Sequence, residues 1–282
     1  MNNDLVTVAI PAYNHQDYVQ ETIYSIIKQS HENIELVIFN DGSTDNTDAK
    51  IKELLPECKK RFVRMEYISK ENEGLAATWN RAIDWAHSDY LYTIASDDVA
   101  MPQAVEILYG FLSKNKKYAL AAGDNQIINE KGERHYWDQQ KNNTTIDHAV
   151  YHTVVEFMKR NRRGRRRYKP RKYGTYKTLL KDNYITNGKM FRIQSLIKVG
   201  KFIPGMKLED WYINLQLAKY YKMKYIDKIL LSYRWHNNNT IKNPAYKNNC
   251  DKTILEYEKE NHRKWFEKYA DKKCKRELNN RQ

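Results

Sequence analysis

Three cysteines in 282 residues, Cys58, Cys250 and Cys274, are odd in number and far apart, and they form no CxxC pair or Cys/His ligand set. A disulfide framework and a structural zinc site are thereby excluded, and a reducing cytoplasm is the expected compartment. No run approaches the roughly 18 consecutive apolar residues of a membrane span, and Met1-Asn2-Asn3-Asp4 lacks the basic and apolar regions of a secretory signal. No internal repeat is present. What the chain has is aromatic surface, with 22 Tyr, 6 Trp and 7 Phe, enough to exclude wholesale disorder and to fill the core of one large domain with an appendage.

Acidic charge is also short, with 35 Asp+Glu against 49 Lys+Arg, a net charge of +14. The excess is local. Residues 159–172 carry ten basic and no acidic groups, the tail from Tyr246 to Gln282 carries eleven basic and seven acidic, and the remainder has 28 of each sign. One insert and one tail are therefore poised to meet a polyanion such as nucleic acid, an anionic membrane face or a diphosphate.

From Leu5 to about Asn129, short apolar runs alternate with helical periods. Leu5–Ile10, Ile34–Phe39, Val63–Ile68 and Tyr90–Ala95 read as strands, while Val19, Ile23, Ile26 and Ile27, and then Leu75, Trp79, Ala82, Ile83 and Ala86, form helical stripes. Such alternation predicts βαβ crossovers in a mainly parallel sheet, with ligands at the carboxyl ends of the strands. Those ends are polar: Pro11-Ala12-Tyr13-Asn14, Asn40-Asp41-Gly42-Ser43, Glu71-Asn72-Glu73-Gly74 and Ser96-Asp97-Asp98. Further on, Tyr118–Ile128 reads as a strand, His148–Met158 has helical spacing, Tyr184–Phe191 resumes ordered structure, Glu209–Tyr221 reads as a helix and Tyr225–Trp235 as a strand. Asp251 to about Glu277 is charged and helix-prone. The paired carboxylates Asp97 and Asp98 suit a hard divalent cation that also meets phosphates, or, more plainly, a helix cap.

Four segments together resemble the nucleotide-sugar half of family 2 glycosyltransferases: Val8-Ala9-Ile10-Pro11-Ala12-Tyr13-Asn14, Val37-Ile38-Phe39-Asn40-Asp41-Gly42-Ser43-Thr44-Asp45, Asn72-Glu73-Gly74 with Asn80-Arg81-Ala82, and Ala95-Ser96-Asp97-Asp98. Leu208-Glu209-Asp210-Trp211 is similar to that family's acidic motif, and Tyr233-Arg234-Trp235-His236 with Thr240 to the segment closing its catalytic domain. The resemblance implies an α/β GT-A fold, a Rossmann-like, mainly parallel sheet with helices on both faces, followed by a helical tail. It implies a donor-binding half over 1–130, an acceptor half over 131–245 that contains the basic insert, and a basic tail over 246–282.

The implied chemistry is metal-assisted, inverting transfer from a UDP-sugar to a hydroxyl of a glycan or polyprenyl-diphosphate-linked glycan, with Mn²⁺ or Mg²⁺ as cofactor. On that reading Pro11, Ala12, Tyr13, Asn14 and Asp41 hold the base, and Asn72, Gly74, Asn80, Ser96 and Asp97 complete the donor site, with Asp97 at the ribose. Asp98 ligates the metal, His236 joins it or touches the diphosphate, Asp210 is the general base and Glu209 orients the acceptor or tunes Asp210. The bacterial surface-glycan members to which the likeness points work at the cytoplasmic side of the inner membrane, and the insert supplies an anionic-surface contact. A nucleotidyltransferase would want a Gly-rich phosphate loop, absent from Pro11–Asp17. An arginine-rich RNA-binding protein leaves the acidic strand ends unexplained, so nucleic acid is disfavoured as a partner.

Overall fold

The computed structural model describes residues 4–161, 166–242 and 244–270. Arg162, Arg163 and Arg165 of the insert and the tail from residue 271 lie outside the described residues.

The first four strands are β1 (Val6–Ala12), β2 (Ile34–Asp41), β3 (Arg64–Lys70) and β4 (Tyr90–Thr93), and they are linked by helices α1 (Val19–Ile27), α2 (Thr47–Arg61) and α3 (Leu75–Trp85). They pair in parallel in the order β3-β2-β1-β4, with Val6 opposite Ile34 and Thr7 opposite Leu91. Strand periodicity sorts the side chains onto two faces. Val6, Val8 and Ile10 pack with Ile34, Leu36 and Ile38 against Val19, Ile23 and Ile26 of α1. Ala9, Val37 and Phe39 face the other way, onto Trp79, Ala82 and Ile83 of α3. Both faces are covered, which is why these strands read as unbroken apolar runs.

The second half extends this sheet. A short β5 (Val99–Ala100) leads to α4 (Ala104–Lys114), β6 (Tyr118–Ile128) and a small ribbon of β7 (Arg134–Trp137) and β8 (Asn143–Thr144). Helices α5 (Val154–Asn161) and α6 (Tyr176–Leu179) precede β9 (Lys189–Arg192), α7 (Ile193–Lys198), α8 (Glu209–Tyr220) and β10 (Lys222–Arg234). The main order is β3-β2-β1-β4-β9-β6-β10-β5, with β9 antiparallel to both β4 and β6. The result is a mixed α/β sheet in which the first four strands are parallel, β6 and β10 are parallel to each other, and β9 runs against its neighbours on both sides. Gly188 enters β9 at φ +66°, where a Cβ would lie 3.0 Å from Leu231 Cδ1 and 3.1 Å from Tyr92 Oη, so glycine is what lets this strand wedge between its neighbours.

The helical spacing over His148–Met158 resolves differently. Ile146–His148 is a 3₁₀ turn, Tyr151 bridges to Trp137, and α5 begins only at Val154. Asp124, in the middle of β6, sets that start by accepting from Thr153 Oγ1 (2.7 Å) and Val155 N (3.1 Å). The second half of the basic insert is packed: Tyr168 and Tyr173 are buried against Tyr184 and Tyr225.

Helices α9 (Pro244–Asn261) and α10 (Arg263–Tyr269) form the described part of the tail. Glu258 of α9 is wholly buried. Its carboxylate accepts from Tyr176 Oη (2.5 Å), Gln216 Nε2 (2.6 Å) and Lys219 Nζ (2.9 Å to Oε2), joining α9 to α6 and α8. Burial pushes the Lys219 ammonium down to about 8 against the opposing pull of Glu258. Cutting one partner from such a pair strands the other charge out of water. We expect Glu258→Ala to cost about 3–5 kcal/mol in urea unfolding; a loss below about 1 kcal/mol would show that α9 docks by apolar contact alone.

Candidate functional site

The carboxyl ends of β1 to β4 converge on one edge of the sheet. Pro11 and Ala12 end β1 and are buried; Tyr13 beyond them is 48% exposed. Asn14 (φ +53°) accepts from Thr44 N at 2.8 Å through its side chain and donates its own N–H to Ser43 Oγ at 3.0 Å, pinning the β1 loop to the β2 loop. Asp41 is buried, ion-paired with the equally buried Lys70 of β3, and its Oδ1 accepts from Glu73 N at 3.0 Å. Gly42 follows at φ +74°, where a Cβ would lie 2.7 Å from Asn72 N, so only glycine lets these two loops approach so closely. Asn72 caps the turn by accepting from Gly74 N (3.0 Å). Asn80, expected in the donor site, spends both ends of its amide on Phe202: Nδ2 donates to the carbonyl (2.8 Å) and Oδ1 accepts from N (3.0 Å). Arg81 forks onto Glu73 at 2.7 and 2.8 Å.

At the end of β4 the two adjacent aspartates have opposite surroundings. Asp97 Oδ2 lies 3.0 Å from His236 Nε2 and 4.0 Å from His15 Nε2, and donor atoms of all three residues fall within 4.8 Å of one another. His15 Nδ1 is 2.8 Å from Ser96 Oγ, which orients its ring, and His15 N donates to Thr47 Oγ1 at 2.8 Å. Burial resists ionisation of Asp97, but the His236 hydrogen bond and the two imidazoles outweigh it and hold the carboxyl below its usual range. Burial pushes the His15 imidazole down against the pull of Asp97, so the ring is kept neutral, the form a cation needs. Two imidazoles and a carboxylate form a donor set that fits a divalent transition ion such as Mn²⁺.

Asp98, expected to ligate the metal, is not part of that cluster. It is fully buried, its Oδ1 accepts Arg234 N at 3.0 Å, and Oδ2 meets no partner among the described residues. Burial and the charge of Asp97 raise its carboxyl well above the ordinary value. Asp97, expected at the ribose, is the carboxylate that meets the histidines.

Glu209 and Asp210 occupy the first turn of α8, entered through Leu208 at φ +57°. Burial, then the charge of Asp210, pushes Glu209 up to about 7. Asp210 Oδ2 accepts from Asn183 Nδ2 (2.7 Å) and lies 3.6 Å from Lys189 Nζ of β9. Sequence reasoning missed His15, Lys70, Asn183 and Lys189. His15 adjoins the matched Asn14 and Lys70 ends a strand, so both carried a positional signal. Asn183 and Lys189 meet Asp210 only because β9 wedges into the sheet.

Residues 7–195 match glycosyl transferase family 2. An uncharacterized glycosyltransferase of Rickettsia felis is 38% identical over 132 residues, 47% of this chain and 21% of that protein. Chondroitin synthase of Pasteurella multocida is 36% identical over 128 residues, 45% of this chain and 13% of the synthase. The chain thus spans about a fifth or less of the length of these relatives. Among solved structures, S. aureus TarS 1-349 in complex with UDP-GlcNAc is similar over 98% of this chain and 78% of its own, with TM-score 0.57 and 15% identity. The mannosyltransferase PcManGT of Pyrobaculum calidifontis, in complex with GDP-Man and Mn²⁺, is similar over 83% and 58%, with TM-score 0.58 and 15% identity. At such identities the likeness is one of fold.

The two aspartates can be told apart in metal-free protein. Asp97→Ala should weaken Mn²⁺ binding, followed by electron paramagnetic resonance, at least about tenfold, and Asp98→Asn should leave it near wild type. In EDTA, wild-type protein should lose stability as the pH climbs from the ordinary Asp value of 3.8 through the raised one, because the folded state holds that proton longer. Asp98→Asn should remove that part of the pH dependence.

Proposed function

The chain belongs to glycosyl transferase family 2, and we propose that it moves a sugar from a UDP-linked donor to a hydroxyl of a glycan or lipid-linked glycan, with inversion and with a divalent cation. The observation that carries this reading is a His15–Asp97–His236 cation site just beyond β4, on the same sheet edge as Asp210, whose carboxylate lies 3.6 Å from Lys189, the register partner of Thr93 at the end of β4.

Donor selection falls to the Asp41–Lys70 pair, which sets an acceptor beside a donor. Asp41 takes the N3 hydrogen of uracil and Lys70 donates to the neighbouring carbonyl, while the exposed ring of Tyr13 offers the base a stacking face. Cytosine, with a lone pair and an amino group on that edge, meets the pair with the wrong polarity. His15, Asp97 and His236 would hold the cation, and when bound it neutralises charge developing on the departing diphosphate. Asp210 removes the proton of the attacking hydroxyl, which approaches the anomeric carbon opposite the leaving group, so a single displacement inverts that centre. Glu209, which burial and the charge of Asp210 push up to about 7, carries less negative charge beside the base than an ordinary glutamate.

The setting we propose is the cytoplasmic face of an anionic membrane, as the lipid-linked acceptor requires. It is supported by the exposed Lys169, Arg171 and Lys172 of the insert, each worth about 1 kcal/mol near such a surface. No helix among the described residues is long and apolar enough to cross a membrane.

A panel of UDP-sugars incubated with Mn²⁺ tests the reading without knowledge of the acceptor, since water can take its place. One donor should hydrolyse slowly. Asp210→Asn should lower that rate about 10² to 10⁴-fold while UDP affinity stays at the wild-type value; loss of both together, or of neither, refutes the assignment. Lys70→Met should narrow the preference for UDP over CDP about tenfold in competition binding, and an unchanged preference would remove Lys70 from base selection.

A further inference from the structure

The basic insert is the one feature of the sequence that the reaction above leaves without a task, and its described half leads to Asp210. Asn183 donates to Asp210 Oδ2 at 2.7 Å, and its own Oδ1 accepts from the buried Asn214 Nδ2 at 3.3 Å. Asn214 thereby fixes which end of the Asn183 amide faces the carboxylate. Asp210 Oδ1 makes no hydrogen bond to the described residues, so it is the oxygen left open for a proton. The flanking residues are clasped by the insert. Arg167 donates to Asp182 Oδ2 (3.0 Å) and lies 5.5 Å over the Tyr184 ring; Tyr168 Oη donates to the Tyr184 carbonyl (3.0 Å), and Gly174 N donates to Tyr184 Oη (2.7 Å). Arg167 and Asp182 are both mostly shielded from solvent, at 13% and 17% exposure.

Resting on the assignment of Asp210 as general base, we infer that Asn183 is a positioning residue for it and that the basic insert, through Arg167 and Asp182, holds Asn183 in place. An amide that donates to the charged carboxylate fixes its rotamer and favours its proton-accepting form. The charged groups that face Asp210 are Lys189 of β9, 3.6 Å from its carboxylate, and Glu209 on its own helix, with Arg167 and Asp182 lying beyond Asn183. An insert that on sequence looks like a surface appendage thus ends in a brace behind the reacting oxygen.

The test uses the full-length protein, Mn²⁺, and whichever donor of the UDP-sugar panel is hydrolysed. Asn183→Ala should lower kcat about tenfold, with UDP Kd and Tm near wild type and the acid limb of the kcat profile moved to higher pH. Asn183→Asp, which sets a second carboxylate against Asp210, should lose more. Arg167→Met should give a smaller loss with the same direction of pH shift, Arg167→Lys should restore the wild-type profile, and Arg167→Met combined with Asn183→Ala should be no worse than Asn183→Ala alone. Wild-type kcat and profile in Asn183→Ala, or a loss of UDP affinity and Tm that matches the loss of kcat, would overturn the inference. Asp210→Asn, run alongside, separates the two claims. If it is inactive and Asn183→Ala is normal, only the positioning role fails; if it turns over like wild type, the base assignment fails and the positioning role with it.

Discussion

The buried guanidinium of Arg234 is the constraint on which this site depends. At 1% exposure it cannot leave its donors to water. Nε donates to the Asp97 carbonyl (2.8 Å), one terminal nitrogen to the Asn129 and Glu130 carbonyls (3.1 Å each), and the other to Glu21 of α1, while the guanidinium sits 4.9 Å over the Tyr18 ring. Its backbone N–H is the partner of Asp98. One side chain therefore ties the ends of β4, β6 and β10 to α1, and a planar, permanently charged fork is the group whose geometry can do so. His236 lies two residues beyond Arg234, so the distance between its ring and Asp97 is set by this buried tie.

That tie also explains how neighbouring aspartates come to differ. Asp97 lies in the turn beyond β4, where it meets His236, and Asp98 stands directly before β5 with its side chain in the core. Asp97 finds imidazoles and stays ionised; Asp98, shut in the core beside that charge, resists ionisation. The same logic divides the acidic pair on α8, where Asp210 has an amide and an ammonium for company and Glu209 has mainly its neighbour's charge. In each pair, burial and the neighbour's charge leave one carboxylate reluctant to ionise.

Much of the N-terminal half was legible because local pattern and tertiary role agree there. The stripe Val19, Ile23, Ile26, Ile27 is the buried face of α1, and Tyr118–Ile128 is β6 residue for residue. What was not legible depended on groups distant in sequence. Nothing in Asp97-Asp98 says which side chain turns inward; Arg234 and His236 decide that from the far end of the chain. The helical spacing before Met158 was overridden by Asp124, and the four-residue β9 is too short to show a period of its own. The packed tyrosines of the insert sit within a run whose charge masks them.

The antiparallel β9 wedge also bears on how the chain is made. β4 and β6 both hydrogen-bond to β9, so until it arrives each presents an open edge. β9 emerges from the ribosome roughly sixty residues after β6, a delay of about 3 to 12 s at ordinary rates of synthesis. During that interval the nascent parallel strands hold a vacant slot lined by Leu91, Tyr92, Leu120 and Ala121, with backbone donors and acceptors that any passing strand can satisfy. The strand that places Lys189 beside Asp210 is thus also the one that closes the gap between β4 and β6, so the same four residues join the two parts of the sheet and furnish that contact.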